Sequence, residues 1–146
     1  MVEILHLDKR FQRPVVFTMQ FSGCRALLDT GATLPVWTAS EDVLKALGGT
    51  MVSDNVSFSG FGGPVVAQLY QLTVSLGKII YPNMHLIFSE NEKIPGFLLL
   101  SATMFGGMHY TIDDENHLLT IDTRSNQAAY NLRIEDKNGD LYVLLN

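Results

Sequence analysis

The residue best placed to do chemistry is an aspartate at the end of an apolar run. Residues Ala26 to Ala32 read Ala-Leu-Leu-Asp-Thr-Gly-Ala, so Asp29 enters a turn of small residues. A carboxylate leaving an apolar strand is costly unless it is hydrogen-bonded, and Gly31 lets backbone N–H groups approach it. Carboxylates of this kind serve as general acids and bases. An ordinary Asx-type turn between two strands is the other interpretation of Asp-Thr-Gly.

The elements that carry this turn are predicted to be mostly β-strands. Short runs rich in Val, Ile, Leu and Phe recur with turn signals between them, which is typical of an all-β domain. In the tail, Asn138-Gly139 is a tight-turn pair that predicts a hairpin. The predicted strands are Val2–Leu7, Pro14–Phe21, Arg25–Leu28, Leu34–Trp37, Thr50–Ser59, Val65–Leu76, Lys78–Tyr81, Met84–Phe88, Gly96–Leu100, Met108–Ile112, Leu118–Asp122, Leu132–Glu135 and Leu141–Leu145.

One or two short helices are expected among these strands. Thr38-Ala39-Ser40-Glu41 fits a capping box, and Val43, Leu44 and Leu47 would share one face before Gly48-Gly49 ends the helix. A second helix could follow Ser101, which would cap Ala102–Phe105. The run Phe97–Ala102 also resembles Ala26–Thr30, and this indicates a pseudo-twofold relation.

Composition sets limits on partners and compartment. The 146 residues are 47% apolar and 17% charged with a net charge of −5, which suits one globular domain and opposes a phosphate-backbone ligand. We therefore expect no nucleic-acid partner. The longest apolar stretches are far below the roughly 20 residues that span a bilayer, so no membrane partner is expected either. A single cysteine, Cys24, excludes an internal disulfide and favours a cytoplasmic location.

Other motifs give weaker signals for chemistry. Gly60-Phe61-Gly62-Gly63 lacks the Lys-Ser/Thr of a phosphate-binding loop, and the alternating acids around Asn138 are better explained by the tight turn than by a calcium loop. Four histidines have no paired spacing, so no metal and no cofactor are expected. Cys24 has no evident activating partner, and Ser22 and Ser101 lie in no nucleophile elbow.

The sequence resembles the retropepsins, the retroviral-type aspartic proteases, from about Pro14 to Asp122. The Asp-Thr-Gly-Ala stretch matches their active-site motif, and Ser57–Val66 is similar to their flap, a Gly-rich hairpin tip that closes over substrate. Phe97–Phe105 and the strand pair after it resemble the second half of the fold. The resemblance implies an all-β, closed-barrel-like retropepsin fold over residues 1–125. We expect residues 126–146 to form a C-terminal hairpin extension packed on that domain.

The resemblance also implies which residues form the site. Asp29, Thr30 and Gly31 would be catalytic. The sequence departs from the family at Ser101, where the family usually has Gly; a side chain there could displace the active-site loop or lend it a hydrogen bond. The residues expected to bind substrate come from the motif, the flap and the second apolar strand, and they are Ala32, Ser59, Gly60, Phe61, Gly62, Gly63, Val65, Leu98, Leu99 and Leu100.

Aspartic peptidase chemistry needs two carboxylates that share a proton, and only Asp29 has both the apolar strand before it and Gly after it. The partner carboxylate would come from a second copy in a twofold homodimer. The sequence thus predicts a homodimeric aspartic endopeptidase acting on peptide or protein substrates. The alternative is a catalytically inactive retropepsin-like dimer that binds peptides or serves as a scaffold.

Overall fold

The computed structural model describes residues 1–7, 15–17, 25–29, 34–60, 63–89, 97–128, 132–137 and 140–145. Within these ranges the chain forms twelve strands, one α-helix and one 3-10 helix, which confirms the all-β prediction. The strands are β1 (Val2–His6), β2 (Val15–Phe17), β3 (Arg25–Asp29), β4 (Val36–Trp37), β5 (Thr50–Gly60), β6 (Gly63–Leu76), β7 (Ile79–Phe88), β8 (Phe97–Ser101), β9 (His109–Asp113), β10 (Leu118–Asp122), β11 (Leu132–Lys137) and β12 (Asp140–Leu145). Helix α1 is Glu41–Ala46 and the 3-10 helix is Ala102–Phe105.

The strands form three sheets. Seven strands pair in the order β2-β3-β8-β4-β7-β6-β5, three in the order β1-β10-β9, and β11 pairs with β12. In the large sheet β3 runs parallel to β8, and β4 runs parallel to β7. These two parallel strands, β3 and β8, come from the similar runs Ala26–Thr30 and Phe97–Ala102, whose likeness suggested a pseudo-twofold relation.

Two core clusters lie on opposite faces of the large sheet, because alternate residues of a strand point to opposite faces. The larger cluster contains Trp37, Leu98 and Leu100, and it extends to Leu44 of α1. The smaller cluster includes a row of residues that are register partners across five neighbouring strands, and these are Leu27, Leu99, Val36, Ile87 and Leu69. Each is at most 6% exposed, and neighbouring residues of the same strands lie in the larger cluster, so both faces of the sheet are buried along this row.

Helix α1 begins at a different residue from the one that the sequence predicted. Ser40 is the N-cap, and its Oγ accepts a hydrogen bond from the Asp42 amide at 3.1 Å. Thr38 is therefore not the cap of a capping box, and it is almost fully buried. The prediction of a three-residue apolar face was also wrong in part, because Val43 is 45% exposed whereas Leu44 is fully buried.

The two strands predicted between residues 78 and 88 are one continuous strand, β7. Its antiparallel pairing with β6 shifts register between Leu72 and Val74. Asn83 absorbs this irregularity with a positive φ of 49°, a conformation that Asn tolerates better than most residues. Pro82 and Asn83, which separate the two predicted strands, therefore lie at a distortion inside one strand.

The segment after β10 forms hydrogen bonds with β7 of the large sheet. The Ile80 amide donates to the Asn126 carbonyl at 2.6 Å, and the Ala128 amide donates to the Ile80 carbonyl at 2.8 Å. Ala128 itself is buried in the larger core cluster. Strand β12 then lies close to β5. The Asn138-Gly139 pair between β11 and β12 lies outside the described residues.

Candidate active site

Asp29 is the last residue of β3, at the carboxyl end of a strand whose preceding residues are buried. Ala26, Leu27 and Leu28 are at most 7% exposed, whereas Asp29 is half-buried. The apolar residues hold the strand inside the sheet, and the carboxylate emerges where the strand ends. Three predicted site residues that follow it, Thr30, Gly31 and Ala32, lie outside the described residues.

The neighbour of Asp29 on the adjacent strand is Ser101. The parallel register pairs Leu27 with Leu99, Leu28 with Leu100, and Asp29 with Ser101. Paired residues of neighbouring strands point to the same face, and Leu27 and Leu99 both belong to the smaller core cluster. The side chains of Asp29 and Ser101 thus lie side by side on that face, one step beyond the buried row.

Ser101 is fully buried, and its hydroxyl is engaged by a second hydroxyl. The Ser101 Oγ lies 2.7 Å from the Thr103 Oγ1, and either oxygen can be the donor. Ser101 precedes the 3-10 helix as its N-cap but makes no side-chain capping bond. Sequence reasoning identified Ser101 as a departure but missed Thr103, because only the turn of the 3-10 helix brings the two hydroxyls together.

The 3-10 helix is fixed from behind by β7. The Tyr81 hydroxyl donates to the Met104 carbonyl at 2.8 Å, and both residues are buried. The Met108 amide donates to the Phe105 carbonyl at 3.0 Å as the helix ends at Gly106 and Gly107. These bonds hold the residues that follow Ser101 against the core.

The predicted substrate residues of β8 occupy the core. Leu98, Leu99 and Leu100 are at most 2% exposed and are divided between the two clusters. In the single chain these side chains present almost no surface to a ligand, and the expectation that the three leucines wall a groove stays a prediction. Their role is to hold β8 between β3 and β4.

The Gly-rich stretch lies in the hairpin of β5 and β6. The two strands are antiparallel, with Phe58 opposite Val65, Ser59 opposite Pro64, and Gly60 opposite Gly63. Phe61 and Gly62, between the paired glycines, lie outside the described residues. The register therefore brings four of the predicted substrate residues, Ser59, Gly60, Gly63 and Val65, to the end of one long hairpin.

A charged cluster connects α1 to the large sheet. The Tyr70 hydroxyl donates to the Glu41 Oε1 at 2.6 Å, and Lys45 Nζ lies 3.0 Å from the same oxygen. Burial, followed by the hydrogen bond to Glu41, raises the pKa of Tyr70 to about 12. The bonds from Tyr70 and Lys45 lower the pKa of the Glu41 carboxyl. This cluster joins α1 to β6. On β4, the Trp37 Nε1 also donates to the carbonyl of the N-cap Ser40 at 2.9 Å.

The described histidines are scattered, since His6 is on β1, His85 on β7, His109 on β9 and His117 beside β10. Burial lowers the pKa of His85 below its usual value. No group of three His, Cys, Asp or Glu residues in the described ranges is arranged to hold a metal ion. Cys24 lies outside these ranges. None of the helices that the structure describes is long and apolar enough to cross a membrane.

Comparison with known proteins gives one structural match. No protein-family model and no curated protein matches the sequence. Among solved structures, the chain is similar to the crystal structure of a retropepsin-like aspartic protease from Rickettsia conorii, with a TM-score of 0.57 and 16% sequence identity. The match covers 84% of this chain and 91% of that chain. The chain thus has a retropepsin-like fold, which confirms the fold that the sequence resemblance implied.

Proposed function

We propose, from the retropepsin-like fold and the place of Asp29 in it, that this protein is a homodimeric aspartic endopeptidase. The observation that carries the proposal is Asp29 at the carboxyl end of the buried strand β3, followed in the sequence by Thr30, Gly31 and Ala32. In this reading Asp29, Thr30 and Gly31 form the catalytic turn. The substrate is a peptide or an unfolded protein segment.

The chemistry uses two Asp29 carboxylates with one proton between them. The ionised carboxylate removes a proton from a water molecule, whose oxygen attacks the scissile carbonyl carbon. The protonated carboxyl donates its proton to the carbonyl oxygen, which gives a neutral tetrahedral diol. The C–N bond then breaks as the nitrogen takes the proton that the first carboxylate removed from water, and a diol hydroxyl gives its proton to the second carboxylate. The products are a carboxylic acid and an amine, and the pair again holds one proton.

Two copies are required because one chain offers one suitable carboxylate. No other aspartate in the sequence follows an apolar strand and precedes a glycine turn, as Asp29 does. A twofold axis would bring each Asp29 against its symmetry mate. Two carboxylates that close cannot both ionise, so the pair would hold the single proton that the mechanism needs.

The β5–β6 hairpin is suited to cover an extended substrate. Its paired end at Gly60 and Gly63 flanks Phe61 and Gly62, and glycines allow backbone changes that other residues resist. An extended peptide can add its backbone hydrogen bonds to such a strand. Apolar side chains near the motif and hairpin, Ala32 and Val65 among them, would select substrates with bulky apolar residues beside the scissile bond.

Incubation of the purified protein with a mixture of unfolded proteins between pH 4 and 7 tests the activity. We expect cleavage next to bulky apolar residues, and a statine-type inhibitor should block it because its hydroxyl imitates the tetrahedral diol. Specific activity should fall on dilution below the dimer dissociation constant. No cleavage at any pH would reject the enzyme, and full activity of a sedimenting monomer would reject the shared site.

The second candidate function is a retropepsin-like dimer that binds peptides without cleaving them. The observation that favours it is Ser101, because a buried side chain stands beside Asp29 where the family usually has Gly. The two candidates differ in one result. A binding module would retain an apolar peptide in a pull-down and release it intact after prolonged incubation.

A further inference from the structure

We propose that a polar pocket at the end of the three-stranded sheet binds a short peptide by its two charged termini, with Arg124 taking the α-carboxylate and Asp122 the α-ammonium group. The pocket has a volume of about 630 Å³ and lies where β9 begins and β10 ends. Its walls are formed by Met1, Gly107, His109, Asp122, Thr123 and Arg124. None of these residues belongs to the candidate active site, so the inference goes beyond the proposed peptidase and does not depend on it.

The cation of the pocket is carried by a turn that is fixed at both ends. On one side, the Thr123 amide donates to the Met1 carbonyl at 3.0 Å, which continues the pairing of β1 with β10 by one residue. On the other side, the segment after the turn is hydrogen-bonded to β7. Within the turn, the Thr123 Oγ1 donates to the Ser125 carbonyl at 3.1 Å. The backbone of Arg124 is therefore held in place, and its guanidinium carries a permanent positive charge.

The anion of the pocket is the last residue of β10. Asp122 is paired with Val2 of β1 on one side and with His109 of β9 on the other. Register partners point to the same face of a sheet. This face is the outer one, because Leu119 and Ile121 point the other way, into the larger core cluster. The Asp122 carboxylate and the His109 imidazole thus lie side by side at the pocket, and both are exposed.

The two opposite charges of the pocket do not neutralise each other. Neither the Asp122 carboxylate nor the Arg124 guanidinium forms an ion pair or a hydrogen bond with any residue that the structure describes. By contrast, Lys45 and Glu41 on α1 are joined at 3.0 Å. Two opposite charges that line one pocket without joining are both available to a ligand.

These charges select the class of ligand. A ligand with a carboxylate alone would be attracted by Arg124 but repelled by Asp122, and a simple cation would meet the reverse. The free ends of a short peptide supply one charge of each sign. Arginine can hold a carboxylate through two parallel N–H bonds, and His109 offers a further donor or acceptor to the peptide group. The volume is typical of a ligand site, and Gly107 leaves room, because a Cβ built there meets no atom within 4 Å.

The test is an NMR titration of nitrogen-15-labelled protein with alanyl-alanine, in which the amide signals of Gly107, Thr123 and Arg124 are followed. The N-acetyl form of this dipeptide keeps only the carboxylate, and its C-terminal amide keeps only the ammonium group. Arg124→Met and Asp122→Asn each remove one charge with little change in size. Asp114→Asn, in the turn that joins β9 to β10, is the matched control. Melting temperatures check that every variant is folded.

We expect alanyl-alanine to shift the three amide signals saturably, with a dissociation constant in the millimolar range that suits a ligand of this size. Arg124→Met should weaken binding of the dipeptide and of its N-acetyl form about tenfold, because each loses a charge-assisted hydrogen bond. It should not weaken binding of the amide form. Asp122→Asn should show the opposite pattern, with weaker binding of the dipeptide and of the amide form and no loss for the N-acetyl form.

Three results would overturn the inference. The first is the absence of saturable shifts at the three amides, or shifts around Asp29 in their place. The second is the same loss of binding in Asp114→Asn as in the two pocket variants. The third is equal weakening of the N-acetyl and amide forms by either pocket variant, because the two termini would then not be recognised by different residues. The proposed peptidase is tested separately, by cleavage.

Discussion

Tyr81→Phe tests how much the buried hydrogen bond between Tyr81 and Met104 stabilises the 3-10 helix beside the candidate site. The Tyr81 hydroxyl donates to the Met104 carbonyl at 2.8 Å, and Tyr81 and Met104 are at most 2% exposed. Phenylalanine keeps the ring and its packing but leaves the carbonyl without this donor. Because a buried polar group that loses its partner costs about 1 to 3 kcal/mol, we expect the free energy of unfolding to fall by about 2 kcal/mol.

Urea unfolding followed by tryptophan fluorescence measures this difference, since Trp37 is the single tryptophan and is fully buried. The melting temperature should fall by roughly 6 °C for a chain of this size. Tyr110→Phe is the matched control, because Tyr110 lies at the surface and keeps its ring contact with Phe105, whose centroid is 5.0 Å away. Its cost should stay below about 0.5 kcal/mol.

Hydrogen exchange locates the effect. The Met108 amide, which donates to the Phe105 carbonyl at the end of the 3-10 helix, should exchange faster in Tyr81→Phe than in the wild type. Equal unfolding free energies for Tyr81→Phe and Tyr110→Phe would refute the reasoning. The Tyr81 hydroxyl would then not be needed to hold the helix, whose Met104 and Phe105 side chains are buried.

Two further predictions concern the elements that support the large sheet. In a spectrophotometric titration, Tyr70 should ionise near pH 12 in the folded protein, so its contribution to the free energy of unfolding should be complete below pH 10 and lost as the pH rises toward 12. Glu41→Gln removes a cause of the raised pKa and should move this ionisation to lower pH. A titration in which no tyrosine ionises late would contradict the assignment. Gly49→Ala should destabilise the protein by about 1 to 2 kcal/mol, because its Cβ would stand 2.8 Å from the Leu44 carbonyl oxygen. Gly106→Ala is the control, because its Cβ would meet its nearest neighbour, the Thr103 carbonyl oxygen, at 3.5 Å. Equal melting temperatures for the two variants would contradict this account.

Local sequence patterns predicted most strands of this fold. Buried strands are runs of apolar residues bounded by turn residues, and both features can be seen in a short segment of sequence. The bounds of β3, β8 and β10 differ from the prediction by one residue at most. The failures have local physical causes. The prediction ended one strand at Tyr81 and began the next at Met84, but Asn83 adopts a positive φ inside the continuous strand β7. Ser40 takes the capping position that the capping-box pattern gave to Thr38.

The candidate site was predictable only in part. Asp29 could be identified because its apolar strand and the following Thr-Gly-Ala are contiguous in the sequence. The pairing of Asp29 with Ser101 depends on a parallel ladder between strands far apart in the chain, and no local pattern fixes such a register. The burial of Leu98, Leu99 and Leu100 depends on neighbours on both sides of β8, so an apolar strand in the sequence does not reveal whether it lines a groove or fills a core.

The most direct test of the proposed function compares Asp29→Asn with Asp114→Asn in one peptidase assay. Asparagine keeps the shape of Asp29 but cannot share a proton, so kcat/KM should fall by about 10³-fold or more, while the melting temperature and the dimer remain. Asp114 is exposed in the turn before β10, and Asp114→Asn should cleave like the wild type. Wild-type turnover by a folded Asp29→Asn protein would contradict the account, because the hydrolysis would then come from another group.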